Sequence, residues 1–175
     1  MGRFKGKEEA VENFRFSGEL VSMSPYGSGH INDTFLLVFE EPGKGQCRKI
    51  LQRMNKHIFN RPVDLMENIM NVTTYLRERI MENGGDPERE TLNVILSLDG
   101  KPYYVDSKGE YWRAYQFING ASSYDKVEKP EDFYQSGKAF GRFQCLLADY
   151  PADELTETIP DFHNTPSWFE TFERA

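Results

Sequence analysis

The sequence predicts an α+β fold: an antiparallel sheet of five or six strands with one long helix packed on it, followed by a short helical segment. Three observations carry that expectation. Three runs of alternating apolar and polar residues follow one another with only short turns between them. A single stretch of helical period, from Arg61 to about Met81, then interrupts the strands. Beyond Asn119 the strand signals stop and helical ones take over.

The elements follow in order. Residues 1–14 are charged, with Ala10, Val11 and Phe14 spaced as the apolar side of a short helix. Residues 19–24 alternate and form the first strand. Pro25-Tyr26-Gly27-Ser28-Gly29-His30 is a glycine loop, and residues 31–39 form the second strand. Pro42-Gly43 marks a turn into a third strand over residues 47–54. The helix opens at Arg61-Pro62, with proline in the tolerated first turn. Leu65, Ile69, Leu76 and Ile80 recur at helical spacing, and Asn83-Gly84-Gly85-Asp86-Pro87 ends the run. Residues 91–98 form a strand, and Asp99-Gly100 is a hairpin signal answered by residues 102–105. Residues 107–110 turn into a last strand over 111–118. Pro130 then starts a helix with Glu131 and Asp132 in its first turn, where acids suit the dipole. Phe133, Gly137, Phe140, Gln144 and Leu147 share one of its faces. Thr165-Pro166 is read as the cap and first position of a final helix. The expected organisation is therefore a sheet domain over residues 1–118, a linker over 119–129 and a helical segment over 130–175.

Composition sets the bounds. The 175 residues are 38% apolar and 14% aromatic, enough for one moderate core and unlike a disordered or collagen-like chain. Lys and Arg number 21 against 28 Asp and Glu, a net charge of −7 with no basic stripe, so nucleic acid is not an expected partner. The N-terminus has no secretory apolar core, and nothing approaches the run of about 18 apolar residues that spans a membrane. The expected location is the cytoplasm, without a membrane partner, and Cys47 and Cys145 are expected as free thiols.

Three constellations bear on chemistry. The Gly27-Ser28-Gly29 loop joins two strands, and glycine lets backbone N–H groups approach phosphate oxygens closely. A Gly-x-Gly of this kind is also a common plain hairpin turn, and His30, Asn32 and Asp33 just beyond it can act as turn residues. The third strand offers Lys49, Gln52 and Arg53, and the helix after it offers Glu67. Strand alternation places Gln52 on one face and Lys49 with Arg53 on the other. Such residues serve equally as solvated charges at a strand edge. Finally, Gln116-Phe117-Ile118 runs into Asn119-Gly120, a strand leaving the sheet with backbone groups to spare. No metal-ligand spacing links His30, His57 and His163, and no nucleophile elbow occurs. Asp161-Phe162-His163-Asn164 precedes a helix start and reads as a cap or loop rather than a catalytic histidine.

As a set, several motifs carry a family resemblance. They are Tyr26-Gly27-Ser28-Gly29-His30-Ile31-Asn32-Asp33-Thr34-Phe35, Ile50-Leu51-Gln52-Arg53-Met54-Asn55, Leu65-Met66-Glu67-Asn68 and Arg113-Ala114-Tyr115-Gln116-Phe117-Ile118. To these add Phe140-Gly141-Arg142-Phe143-Gln144 and the stretch from Leu155 to Pro166. In order and spacing the chain resembles the N-terminal half of the N-acetylhexosamine 1-kinase family. That family belongs to the aminoglycoside phosphotransferase-like branch of the protein-kinase-like fold. The resemblance runs from about Leu20 to Phe172.

The resemblance implies a kinase-like N-lobe over residues 1–118 and the first helices of an incomplete C-lobe. It implies ATP- and Mg2+-dependent phosphoryl transfer to the anomeric 1-OH of an N-acetylhexosamine, with ATP and a small sugar as partners. On it, Gly27, Ser28 and Gly29 cover the phosphates, and Gln52 replaces the usual third-strand lysine, with Arg53 second. Glu67 is the helix acid, Gln116 and Ile118 hold adenine through their backbone, and His30 and Asn32 reach the sugar. The family's His-x-Asp-x-x-x-x-Asn loop and its metal-binding Asp lie further along. No histidine here is followed by Asp two residues later, so the catalytic base and Mg2+ ligands are expected outside this chain, and the chain alone is expected to be inactive. The alternatives are a phosphotransferase for another acceptor (aminoglycoside, choline or homoserine), or a non-catalytic nucleotide-binding or interaction module. A context in mucin-glycan use is compatible, whereas sulfatase chemistry is not expected, since neither cysteine sits in a Cys-x-Pro-x-Arg setting. Self-association through the helices beyond Pro130 is also expected, because their apolar faces need cover.

Overall fold

The computed structural model describes residues 5–121 and 126–174. It is an α+β structure built on one six-stranded antiparallel sheet. The elements are α1 (Lys5–Asn13), β1 (Glu19–Pro25), β2 (Asp33–Glu41), β3 (Gly45–Arg53), α2 (Pro62–Glu82), α3 (Pro87–Glu90), β4 (Val94–Ile95), β5 (Tyr104–Val105), β6 (Tyr111–Gln116), α4 (Pro130–Leu146) and α5 (Thr165–Arg174). Among the described residues no helix is long and apolar enough to cross a membrane.

The strand order β1-β2-β3-β6-β4 places β6 beside β3, with β5 also on β6. Register sorts the side chains of the sheet onto two faces. Phe35, Leu37 and Phe39 of β2 stand opposite Leu51, Lys49 and Cys47 of β3, and Leu51 in turn opposes Ala114 of β6. This face is covered by α1, whose Ala10 joins Phe14, Phe35, Leu37, Phe39, Leu51, Ile95, Trp112 and Ala114 in one buried cluster. The other face carries Thr34, Leu36 and Val38 beside Gln52, Ile50 and Arg48, with Arg113 and Tyr115 next to them.

The start of α1 docks so closely that a side chain has no room there. A Cβ on Gly6 would lie 2.2 Å from Asp106 Oδ2. Asp106 is buried and accepts from Trp112 Nε1 at 2.9 Å and from the N–H groups of Lys108 and Glu110. Burial pushes its carboxyl up, but those donors outweigh it and hold the group below the usual carboxylate range. Glu9 of α1 accepts from Ser107 and Tyr104, which lower its pKa and clip the helix to the turn before β6.

The expected hairpin across Asp99-Gly100 is corrected by the structure. The turn itself forms, with Ser97 N donating to Lys101 O at 2.8 Å and Gly100 at φ 83°. The segments it joins do not pair with each other. β4 and β5 both pair antiparallel with β6, at Ala114–Tyr115 and Tyr111–Trp112, so they run in the same direction along one edge. Residues after β4 carry that edge on by pairing with the end of α1, since Leu98 N donates to Asn13 O and Arg15 N to Leu96 O around a Phe14–Ser97 bridge. The second strand also begins two residues later than expected, at Asp33, because Ile31 and Asn32 belong to the loop.

Helix α2 buries Met66, Thr73, Leu76 and Ile80, so of the expected apolar run Leu76 and Ile80 are buried while Leu65 and Ile69 are half-buried. Beyond β6, residues 122–125 of the expected linker lie outside the described residues. α4 and α5 form as the helical signals predict, yet neither has a buried residue. Asn164 rather than Thr165 caps α5, its Oδ1 accepting from Ser167 N at 3.2 Å. The segment meets α2 and α3 through polar clips. Asn68 exchanges two hydrogen bonds with the Thr156 backbone, and Arg142 lies 2.5 Å from Glu90.

Candidate functional site

The loop between β1 and β2 is pinned at both ends. Tyr26 N donates to Thr34 O at 2.9 Å, which prolongs the ladder by one pair. On the return side, Asn32 Oδ1 accepts from Asn55 N at 2.9 Å, and Arg53 Nε donates to Asp33 Oδ2 at 2.8 Å. Gly27 has φ 80°, where a side chain would be strained, and nothing lies within 4 Å of a Cβ placed on Gly27 or Gly29. The space over the loop is therefore open to a ligand. Ser28 and His30 are exposed on it.

The two third-strand candidates separate as alternation predicts. Gln52 lies on the face away from α1. Its Oε1 accepts from Arg113 Nε and Nη2 at 2.9 and 2.7 Å, and its Nε2 donates to Thr34 Oγ1 at 2.8 Å. Burial pulls the Arg113 guanidinium down from its usual value, with Tyr115 opposing, and pushes the Tyr115 phenol up to about 12. A neutral amide thus holds a largely desolvated cation on this face. Arg53 lies on the α1 face, paired with Asp33 and 4.0 Å from Glu110. There it borders a cavity of about 350 Å3 together with Gly27, Gly29, Asn32, Glu110 and Trp112. His30 and Arg53 also border a neighbouring recess of about 310 Å3 beside His57.

Glu67 is exposed on α2 and reaches neither Gln52 nor Arg53. Lys49 is committed elsewhere, its ammonium lying 3.1 Å from Glu41 Oε1 and donating to Gln116 Oε1 at 2.7 Å. At the exit of β6 the Gln116 N–H is taken by Asn93 O, and the Phe117 N–H points to Arg48 O at 3.3 Å. Among the described residues the Ile118 N–H donates to no backbone carbonyl, which leaves it as the spare donor there. The structure thus brings Gly27, Gly29, Asn32 and Arg53 together on one side and sets Gln52 on the other. Gln116 directs its side chain to the α1 face, and Glu67 stands apart.

Sequence reasoning passed over Arg113, Thr34, Tyr26 and Phe117 as site residues. Alternation along the β2–β3 hairpin puts Thr34 beside Gln52, whereas Arg113 reaches it only through the β3–β6 register, and the Tyr26 ring meets Phe117 edge-on with centroids 5.7 Å apart. Among the described residues, no group of three His, Cys, Asp or Glu side chains gathers to hold a metal ion. No protein-family model matches the chain.

Proposed function

We propose that this chain is the nucleotide-binding portion of an ATP-dependent small-molecule kinase, a kinase-like N-lobe with the first helices of a second lobe. The acceptor on this reading is the anomeric 1-OH of an N-acetylhexosamine. One observation carries the reading. A glycine loop with open space over both glycines joins the first two strands of an antiparallel meander, whose third strand leads into a 21-residue helix.

Each residue has a task that its position supports. The N–H groups of Gly27, Ser28 and Gly29 bind phosphate oxygens, as a concave run of amides does. Arg113, fixed by Gln52 and Thr34, brings positive charge to the face that the third-strand lysine would otherwise serve. Gln52 is the positioning group for that cation. The Ile118 N–H meets the edge of the adenine ring, with Gln116 anchored to Lys49 two residues before it. His30 lies at the loop's far side, toward the acceptor, while Asn32 anchors the loop. The described residues offer Mg2+ no set of three ligands. No histidine is followed by Asp two residues on, so the expected behaviour of this chain is binding without transfer.

Titration of ATP–Mg2+ into the purified chain by calorimetry tests this. Binding is expected, and Gly29→Val should weaken it at least about ten-fold at an unchanged melting temperature, because the new side chain points into open space. An absence of binding, or equal binding by the variant, would overturn the reading.

A further inference from the structure

Helix α5 and the space between α2 and α4 take no part in the roles above, and the two are complementary. On α4, Gln135, Ala139, Phe143 and Leu146 form one stripe, which borders a cavity of about 320 Å3 against Leu76 of α2. A second cavity of about 440 Å3 adjoins it, lined by Ile69 and Val72 of α2, Leu92 and Leu155. Leu76, Glu90 and Phe143 border both, so the two make one trough with largely apolar walls.

Helix α5 offers the matching ridge. Phe169 and Phe172, three residues apart, stand exposed on one side of it. Trp168 beside them spends its indole N–H on the carbonyls of Asp161 and Phe162, so the two phenylalanines are the rings left to dock. In its own chain α5 stands clear of the trough: none of its residues is buried, and none lines either cavity. The turn before it is tied down as well, with Asn164 donating to Asp161 Oδ1 at 3.0 Å and the Thr156 backbone fixed to Asn68.

Charge points to the occupant. Among the described residues, Lys138 on the rim of α4 and Glu173 beside Phe172 pair with no opposite charge. Their neighbours Arg142 and Glu170 are already taken, by Glu90 and Arg174. One chain thus carries an unmatched base beside an empty trough and an unmatched acid beside an uncovered ridge.

We propose that the occupant is a second copy of this chain: each copy lays Phe169 and Phe172 of α5 into the α2–α4 trough of the other, with Glu173 of one against Lys138 of the other. The contact is isologous, so it closes as a two-fold dimer rather than growing into a filament. A docked aromatic ring buries about 150–250 Å2. Each copy gives one ridge and one trough, so the pair of contacts covers roughly 600–800 Å2 per copy, the lower end of a stable interface. A weak dimer follows, with a Kd of about 10–100 μM. It does not depend on the nucleotide reading above.

Sedimentation velocity over a concentration series from about 5 to 300 μM tests this, bracketing that Kd. The natural chain should pass from monomer to dimer across the series. Phe172→Ser should stay monomeric throughout at an unchanged melting temperature, because the ring is exposed in the single chain. Lys138→Glu and Glu173→Lys should each weaken the dimer about ten-fold, since each sets like charges together at both contacts. The double variant Lys138→Glu/Glu173→Lys should return to within about three-fold of the natural chain. A monomer at every concentration overturns the proposal. So does a dimer that survives Phe172→Ser, or one that the charge exchange fails to restore, because either places the contact on another surface.

Discussion

The sheet with its covering helix and the helices beyond Pro130 solve the burial of apolar surface in opposite ways. Around the sheet, Leu37 and Leu51 are fully buried, and Trp112 is 4% exposed beneath α1. In α4 and α5, Phe140 is 69% and Phe172 76% exposed, although both helices are as amphipathic in sequence as α2. An apolar stripe therefore specifies a helix without specifying its cover. The sheet region brings its own cover through α1 and carries its stability within itself. The α4–α5 region is held by clips such as Asn68–Thr156 and Arg142–Glu90 and by the edge-on contact of Tyr150 with Tyr75 of α2, while the exposed rings of α4 and α5 contribute little to folding.

Substitution on the two sides should bring out this asymmetry sharply. Trp112→Ala should cost about 4 kcal/mol in urea unfolding, because it opens a large cavity and removes the indole donor from buried Asp106. A cost below about 1 kcal/mol would mean that the α1 face is not the core.

Lys49→Ala comes next, at about 3 kcal/mol, because it leaves the Glu41 carboxylate buried without its chief partner. This pair also carries a pH signature. Lys49 holds the Glu41 carboxyl below its ordinary value of 4.5, against burial and with help from Lys44. A depressed carboxyl contributes stability that is present above that value and is lost as pH falls below it. Stability of the natural chain should therefore decline on acidification below 4.5, and that part of the decline should shrink in Lys49→Ala. An identical acid profile in both proteins would contradict the pairing.

The smallest effect belongs to the helical segment. Phe172→Ser should move unfolding stability by no more than about 0.5 kcal/mol, since the ring is exposed. A loss as large as that of Trp112→Ala would show that α5 is packed after all.

The same contrast explains what the sequence made legible. β1, β2, β3 and α2 were readable because each is long enough for its period to be counted and is bounded by glycine or proline. β4 and β5 were not. Each has two residues, and nothing in so short a run says whether its partner is the neighbouring run or the far edge of β6. The Asp99-Gly100 turn formed where expected, but turn chemistry fixes a reversal of the backbone and not the ladder that follows. At the site, alternation was enough to part Gln52 from Arg53. The Gln52–Arg113 pair needed the β3–β6 register, which joins residues 61 positions apart and leaves no local trace. Neither was the Tyr26–Phe117 contact legible, because it depends on how the sheet curls.

The most direct test of the nucleotide reading is a map of backbone hydrogen exchange with and without ATP–Mg2+. Protection should appear at residues 27–29 and at Ile118, on both sides of the face that holds Gln52 and Arg113, and should be absent from α4 and α5. Protection around Arg53 and residues 106–110 with none at Ile118, or no protection anywhere at saturating nucleotide, would contradict it.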